Sequence, residues 1–371
     1  MTKRDRYLKA LRNGAVDDLI WAPNFDYWLQ VNTAEGTLPE KYVGMSRNDI
    51  VRAIGGCIWN RAGGVAAILD SGVKDTWRNE GDVQIHECRT PVGAVREVYH
   101  VSEGAHRTKY LAEHFIKDLQ DIEVMKYIVQ ATHYEPRYDA TERALVETGD
   151  DGVVLNGAPC VPFIQFAKMD AGYVNAYYLW TDHREEVDSL VNLYFDKFLE
   201  CCRVAADGPA DVIATGDNMD GLTLPPNMFR EYAVPYYREA KKITSAKGKI
   251  FEGHWCGRTE SLLPLVPGCG LDCVEAIVTQ PMADVTLPDA LDMLAGEVVL
   301  QGGIPSVLVC EEGGTSDDFA RYIKDVIVPL KGRKGFILGM SDNVPPNADF
   351  ARVESVGCMI EAKTMRIRVS K

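Results

Sequence analysis

Short runs of apolar and β-branched residues, most of them closing on Gly, Asn or Asp, alternate along this chain with longer stretches of helical periodicity. A strand that is apolar throughout needs cover on both faces, and helices connecting parallel strands supply it. The runs are Asp18–Asn24, Gly152–Asn156, Asp211–Asp217, Lys249–His254, Leu271–Ala276, Val298–Gly302 and Gly335–Gly339, with an eighth in Val65–Leu69. The rhythm predicts an α/β fold. Eight such units close a (β/α)8 TIM barrel, whose active site sits at the C-terminal ends of the strands. The polar residues that end the runs would then converge: Asn24, Asn156, Asp217, His254, Cys256, Glu275, Gln301 and Asp342.

One segment departs from the rhythm. From Val83 to Val101, alternating apolar positions around Thr90-Pro91-Val92-Gly93 predict a β-meander with a Pro/Gly turn, inserted over one end of the barrel. His86, His100, His106 and His114 lie in or near it and read as a polar face. No composition shift divides the rest, so residues 1–371 are expected to form a single domain.

The formal net charge is −14, which argues against a nucleic-acid groove or an anionic membrane partner, since both need concentrated positive surface. Small molecules and proteins remain as partners. The basic start, with Lys3, Arg4, Arg6, Lys9 and Arg12 among isolated apolar residues, lacks the apolar stretch of a signal peptide. No later run reaches membrane-spanning length, and the expected location is cytoplasmic. In that compartment the ten cysteines read as buried thiols or ligands rather than a disulfide framework. Cys201-Cys202 and the Cys269/Cys273 pair are taken as structural.

Phe251-Glu252-Gly253-His254-Trp255-Cys256-Gly257 sets an imidazole and a thiol two residues apart at the end of a predicted strand. Strand side chains at i and i+2 share a face, so both could reach one ion. A catalytic zinc site uses three protein ligands and leaves a fourth position open. On a regular strand Glu252 shares that face too, as an orienting group or a rival ligand.

Five further segments follow in order: Leu38-Pro39-Glu40-Lys41-Tyr42, Thr90 to Glu97, Gly216-Asp217-Asn218, Pro226 to Tyr237, and Gln301-Gly302-Gly303-Ile304-Pro305. Together they resemble the uroporphyrinogen decarboxylase superfamily over nearly the whole chain, and the resemblance implies a (β/α)8 barrel. True decarboxylases carry an Arg-Gln-Ala-Gly-Arg run before Leu-Pro-Glu, whose arginines bind substrate carboxylates through charge-assisted forks. Here Phe25 to Gln30 stands in that neighbourhood, with Asp26 and no arginine. The superfamily's other branch consists of zinc methyltransferases that exchange methyl groups with a corrinoid, with the pattern His-x-Cys-Gly followed by a distant Cys. His254-Trp255-Cys256-Gly257 is similar to its first part. The segment matching the last ligand, Gly339 to Pro346, has no cysteine, and the resemblance carries that position to Asp342. Carboxylate oxygen binds zinc at about 2.0–2.2 Å. Cys310 and Glu252 stand as alternatives.

This resemblance implies Zn2+ held by His254, Cys256 and Asp342, and a corrinoid carried on a partner protein. Thiol-binding relatives use a softer ligand set, whereas His/Cys/Asp is harder and suits oxygen. The expected reaction is therefore O-demethylation, moving a methyl group from an aryl methyl ether to Co(I), with zinc polarising the ether oxygen. Asp217 is expected to orient the substrate, or else to cap the following helix. Phe25, Tyr27, Trp28, Phe163, Phe166, Trp180 and Trp255 could form an apolar slot, with Trp28 and Trp255 as its walls and Asn24, Asp26, Asn156 and Gln301 as polar contacts. The same aromatics could cage a quaternary amine. The remaining alternatives are transfer from methylcobalamin to a thiol, a metal-free decarboxylase, and a non-catalytic accessory barrel.

Overall fold

The computed structural model describes residues 1–102, 106 and 108–369, with side chains through residue 360. Its thirteen strands are β1 (Ile58–Ala62), β2 (Val65–Leu69), β3 (Lys74–Glu80), β4 (Val83–Thr90), β5 (Gly93–Ser102), β6 (Thr108–Glu113), β7 (Thr132–Pro136), β8 (Gly152–Ala158), β9 (Val212–Thr215), β10 (Ile250–His254), β11 (Cys273–Ile277), β12 (Val299–Ile304) and β13 (Phe336–Met340). Seven of them form one parallel sheet in the order β1-β8-β9-β10-β11-β12-β13, and β8 to β13 are the six predicted runs from 152 onward.

The sheet is curled. Trp59, Val153, Leu155, Val212, Ile250, Cys273, Val299 and Ile337 come from all seven strands yet meet in one buried cluster with Ile20 and Ala22. Alternation along each strand then assigns the inner face: Arg61, Glu252, His254, Glu275 and Gln301 continue it toward the C-terminal ends. Segment 20–22 lies between the two edges of the sheet. Ala22 N donates to Leu338 O and Leu338 N to Ile20 O, while Cys57 N donates to Trp21 O. The first predicted run is thus reduced to a single parallel bridge at Trp21.

The N-terminal helix, Lys3–Leu11, closes the opposite end. Thr2 and Asp5 form a capping box, worth about 1 kcal/mol, and Tyr7 and Leu11 enter the inner cluster. Arg4 fixes the helix by pairing with Asp211 at 2.5 Å and donating to Gly152 O at 3.0 Å.

Two expectations are corrected. Val65–Leu69 is a strand, but it pairs antiparallel with β7 and takes no part in the parallel sheet. That position belongs to β1, whose Asn60 and Arg61 interrupt its apolar pattern. The meander is also larger than 83–101, being a four-stranded antiparallel sheet β3-β4-β5-β6. Its predicted turn stands, with Thr90 paired to Gly93. The inner-facing Cys88 and Val95 pack with Phe115 and Val124, joining this sheet to helix Leu119–Gln130 and the main core. The ten cysteines are all free, and among the described residues no helix is long and apolar enough to cross a membrane.

Candidate active site at the C-terminal ends of the parallel strands

Register brings His254, Glu275 and Gln301 side by side on three neighbouring strands. At Ala276, φ 64, a bulge shifts the β11/β12 register immediately after Glu275. Such irregularities re-aim side chains at strand ends. Glu275 Oε2 lies 2.6 Å from His254 Nδ1, and Arg61 approaches the same oxygen at 3.7 Å. A neutral imidazole whose Nδ1–H is donated to a carboxylate would present its Nε2 lone pair to a metal ion. That Nε2 is 3.8 Å from Asp342 Oδ1. Burial works against the charged ring, but Glu275 and the neighbouring Cys256 outweigh it and hold the His254 pKa up to about 10, so at pH 7 the ring is charged and a metal ion at Nε2 would displace its proton.

The glycines of the motif have specific steric reasons. A Cβ on Gly257 would fall 2.4 Å from Asp220 Cβ and 2.5 Å from Met219 O. Two backbone bonds hold this approach, from Gly257 N to Met219 O at 3.1 Å and from Gly221 N to Arg258 O at 2.7 Å. The loop carrying Cys256 is thereby tied to the loop after β9. A Cβ on Gly253 would lie 2.8 Å from the Trp255 ring nitrogen.

Asp342 follows β13 at φ 134, a conformation that costs an L-residue about 1–3 kcal/mol. Neighbouring contacts hold it: Asn24 Nδ2 donates to Asp342 O at 2.7 Å, and Val344 N donates to Asn24 O at 3.0 Å. Burial pushes the Asp342 carboxyl pKa up, with His254 opposing the shift.

Deeper on the inner face, Tyr7 OH donates to Gln301 Oε1 at 2.7 Å. Glu252 is 1% exposed and its Oε2 has no hydrogen-bond partner. Burial first, and the Glu275 charge second, push its pKa up to about 8. A carboxyl in this position is neutral at pH 7, since ionising it would leave an uncompensated buried charge.

The structure therefore brings together His254, Asp342, Gln301 and, at the rim, Cys256, with Asn24 supporting Asp342. His254, Cys256 and Asp342 do not all lie within 4.8 Å of one another, because the chain has left the strand before Cys256. Cys310 is engaged elsewhere, with its sulfur 3.7 Å from Ser306 O and 3.8 Å from Asn347 Oδ1. Asp217 is fully buried below the loop after β9, where it accepts from Val161 N at 2.8 Å, Thr215 Oγ1 at 2.5 Å and Tyr237 OH at 2.6 Å. Burial raises its pKa. These bonds tie the β8 and β9 loops together and engage both carboxylate oxygens of Asp217, which is 0% exposed rather than turned toward a substrate as expected.

Other expected contacts lie elsewhere. Asn156 faces the surrounding helices and accepts from Thr141 Oγ1 at 2.9 Å. Asp26 is exposed and pairs with Arg47 at 2.7 Å. Trp28 is buried and stacked on Phe350, with ring centroids 3.8 Å apart. Trp255 is fully buried edge-on to Phe229, and Phe163 packs among Phe166, Tyr177, Trp180 and Tyr232. These aromatics form core rather than an open slot, because flat apolar rings after strand ends are needed to seal the helices against the sheet. Glu275 and Arg61 were given no role from sequence. Glu275 carried a signal, as a polar strand end in line with His254, whereas Arg61 was hidden in an unrecognised strand.

Comparison with known proteins bears on the family and the fold. The family profile described as uroporphyrinogen decarboxylase (URO-D) matches residues 99–363. A solved methyltransferase from Methanosarcina mazei is similar in fold at 14% identity, with a TM-score of 0.61 over 98% of this chain and 99% of that one. A D-psicose 3-epimerase from Clostridium cellulolyticum H10 aligns at 10% identity over 61% of this chain and 83% of that one, with a TM-score of only 0.35. No curated protein sequence matches the chain. The profile spans most of the sequence, including β8 to β13 and the ends that carry His254 and Asp342, and the chain belongs to the uroporphyrinogen decarboxylase family.

Proposed function

We propose that this protein is a corrinoid-linked methyltransferase that demethylates an O-methyl substrate, an aryl methyl ether, onto the Co(I) corrinoid of a partner protein. In this reading the chain is one domain, an eight-position barrel whose eighth position is segment 20–22. The observation that carries it is His254, whose Nδ1 is held 2.6 Å from Glu275 while Nε2 looks toward Asp342 with Cys256 alongside. The donor set fits zinc: a neutral imidazole, a thiolate and a carboxylate together neutralise a divalent ion, and the imidazole already has its orienting carboxylate. Bound there, zinc would act as a Lewis acid toward the ether oxygen.

The chain's own residues would do the rest. Glu275 fixes the His254 tautomer, Asn24 holds the strained backbone of Asp342, and the Gly257 contact fixes the loop that bears Cys256. The buried Glu252 gives the inner face a neutral floor two residues before the ring. The corrinoid protein would dock on the C-terminal ends of the parallel strands, and a cytoplasmic location suits that partner. A metal-free decarboxylase is the second reading, favoured by the description of the matching family. Glu275 and Asp342 at the mouth count against it, since a polycarboxylate would meet carboxylates there.

Elemental analysis of protein purified without chelator tests the proposal. Zinc present in the wild type and reduced in Cys256→Ser and Asp342→Ala, with methoxyarene-dependent methylation of Co(I) corrinoid, is the expected result. Zinc-free, well-folded protein whose activity survives His254→Ala would favour decarboxylation. Methyl transfer to thiols or from methylamines, in place of methoxyarenes, would replace the substrate class.

A further inference from the structure

The four-stranded meander holds a second constellation, away from the ends of the parallel strands. Asp75 on β3 is cross-strand neighbour to Cys88 on β4, and His86 lies two residues from Cys88 on the same face. Among the described residues, Asp75, His86 and Cys88 are the only three His, Cys, Asp or Glu side chains whose ligand atoms all lie within 4.8 Å of one another. His86 Nε2 is 2.5 Å from Asp75 Oδ1, and the Cys88 sulfur is 3.7 Å from each of those atoms. On the far side of the ring, Nδ1 lies 2.8 Å from Glu97, which also accepts from Tyr99 OH at 3.0 Å. Glu97 is 7% exposed, and Trp77 stacks on the imidazole at 3.9 Å.

We propose that Asp75, His86 and Cys88 bind a divalent transition-metal ion of the zinc class, as a clamp between β3 and β4. Ordinary zinc bond lengths in a tetrahedral arrangement separate sulfur from nitrogen or oxygen by about 3.5 Å and nitrogen from oxygen by about 3.3 Å. The two sulfur distances already meet this, and only the His86–Asp75 contact must open. Glu97 sets the tautomer, because a ring that donates Nδ1–H offers Nε2 to the ion. The need for a clamp is local: every residue of β3 is exposed, so this edge strand has little apolar burial of its own.

The test uses the full-length His254→Ala/Cys256→Ser double variant, which removes the barrel pair, stripped by chelator and titrated with Co2+. The expected result is about one tightly held cobalt per chain with thiolate-to-cobalt charge-transfer absorption. Cys88→Ser should abolish that absorption, and Asp75→Asn, at an exposed position that does not threaten folding, should weaken binding about tenfold or more. Zn2+ should also slow amide exchange in residues 74–80 of the double variant, but not after Asp75→Asn. Failure to bind cobalt, absorption that survives Cys88→Ser, or exchange in β3 indifferent to Zn2+ would each overturn the clamp. The methyltransferase reading would be untouched by any of them.

Discussion

Two His-x-Cys pairs stand in this molecule, His254-Trp255-Cys256 at the end of β10 and His86-Glu87-Cys88 in the middle of β4. Each imidazole has Nδ1 against a glutamate, at 2.6 Å from Glu275 and 2.8 Å from Glu97, and each has an aspartate from another segment near Nε2. What differs is the backbone. β4 continues through its cysteine, so i and i+2 share a face and three ligand atoms already converge. β10 stops at His254, and Cys256 rides on a loop whose course is set by the Gly257 contact with residues 219 and 220. A pair embedded in a ladder is pre-closed and suits a structural clamp. One at a strand end retains room for a substrate, which is what a catalytic metal position needs.

The largest effect expected is at the strand end. His254→Ala should lower kcat/KM for methyl transfer by about 10³-fold, since Lewis-acid polarisation is worth several kcal/mol. Activity that survives this change would erase the functional distinction between the two pairs. The orienting glutamates sharpen the comparison next. Glu275→Gln should cost about 10–100-fold in metal affinity or activity at the mouth, and Glu97→Gln a similar factor in cobalt affinity at the meander. Crossed effects, read by metal titration in each background, would show the sites to be coupled.

Gly257→Ala tests whether the loop is what separates the two geometries. The added Cβ meets backbone rather than a movable side-chain end, and about 1–3 kcal/mol of destabilisation should appear in denaturant unfolding, with zinc binding weakened. A neutral outcome would mean that the loop is free to bring Cys256 in without cost.

The smallest effect concerns the joint between the regions. Asp170 is 5% exposed, accepts from Tyr194 OH at 2.7 Å, and feels the charge of Glu97. Burial first pushes its pKa up to about 7, from an ordinary value of 3.8. A carboxyl pKa raised on folding means that the native state holds a proton the unfolded chain has lost. Its contribution is greatest below pH 4 and declines as pH rises through 4 to 7. Asp170→Asn should therefore gain stability relative to wild type across that window, in paired unfolding curves. A difference independent of pH would show that Asp170 does not titrate there.

Much of this was legible in the chain. Six runs from Gly152 to Gly339 became β8 to β13 because parallel strands covered on both faces need continuous apolar residues, and their polar ends then had to meet. The hidden strand was β1, where Asn60 bonds toward Thr148 and Arg61 reaches the mouth, breaking the pattern for reasons that appear only once its neighbours are known. Trp28 and Trp255 read as slot walls, but a ring's ability to seal a core or face a ligand is the same in sequence.

By itself the sequence determined the α/β rhythm, the hairpin turn at Thr90–Gly93, and His254 and Cys256 as candidate ligands, since periodicity and residue type are local properties, whereas Asp342 was reached only through the family resemblance. Only the tertiary structure decided that Glu275 orients His254, that Asn156 turns outward, and that Asp75 joins His86 and Cys88. Those depend on register between strands distant in the chain, where a shift of one residue moves a side chain to the opposite face.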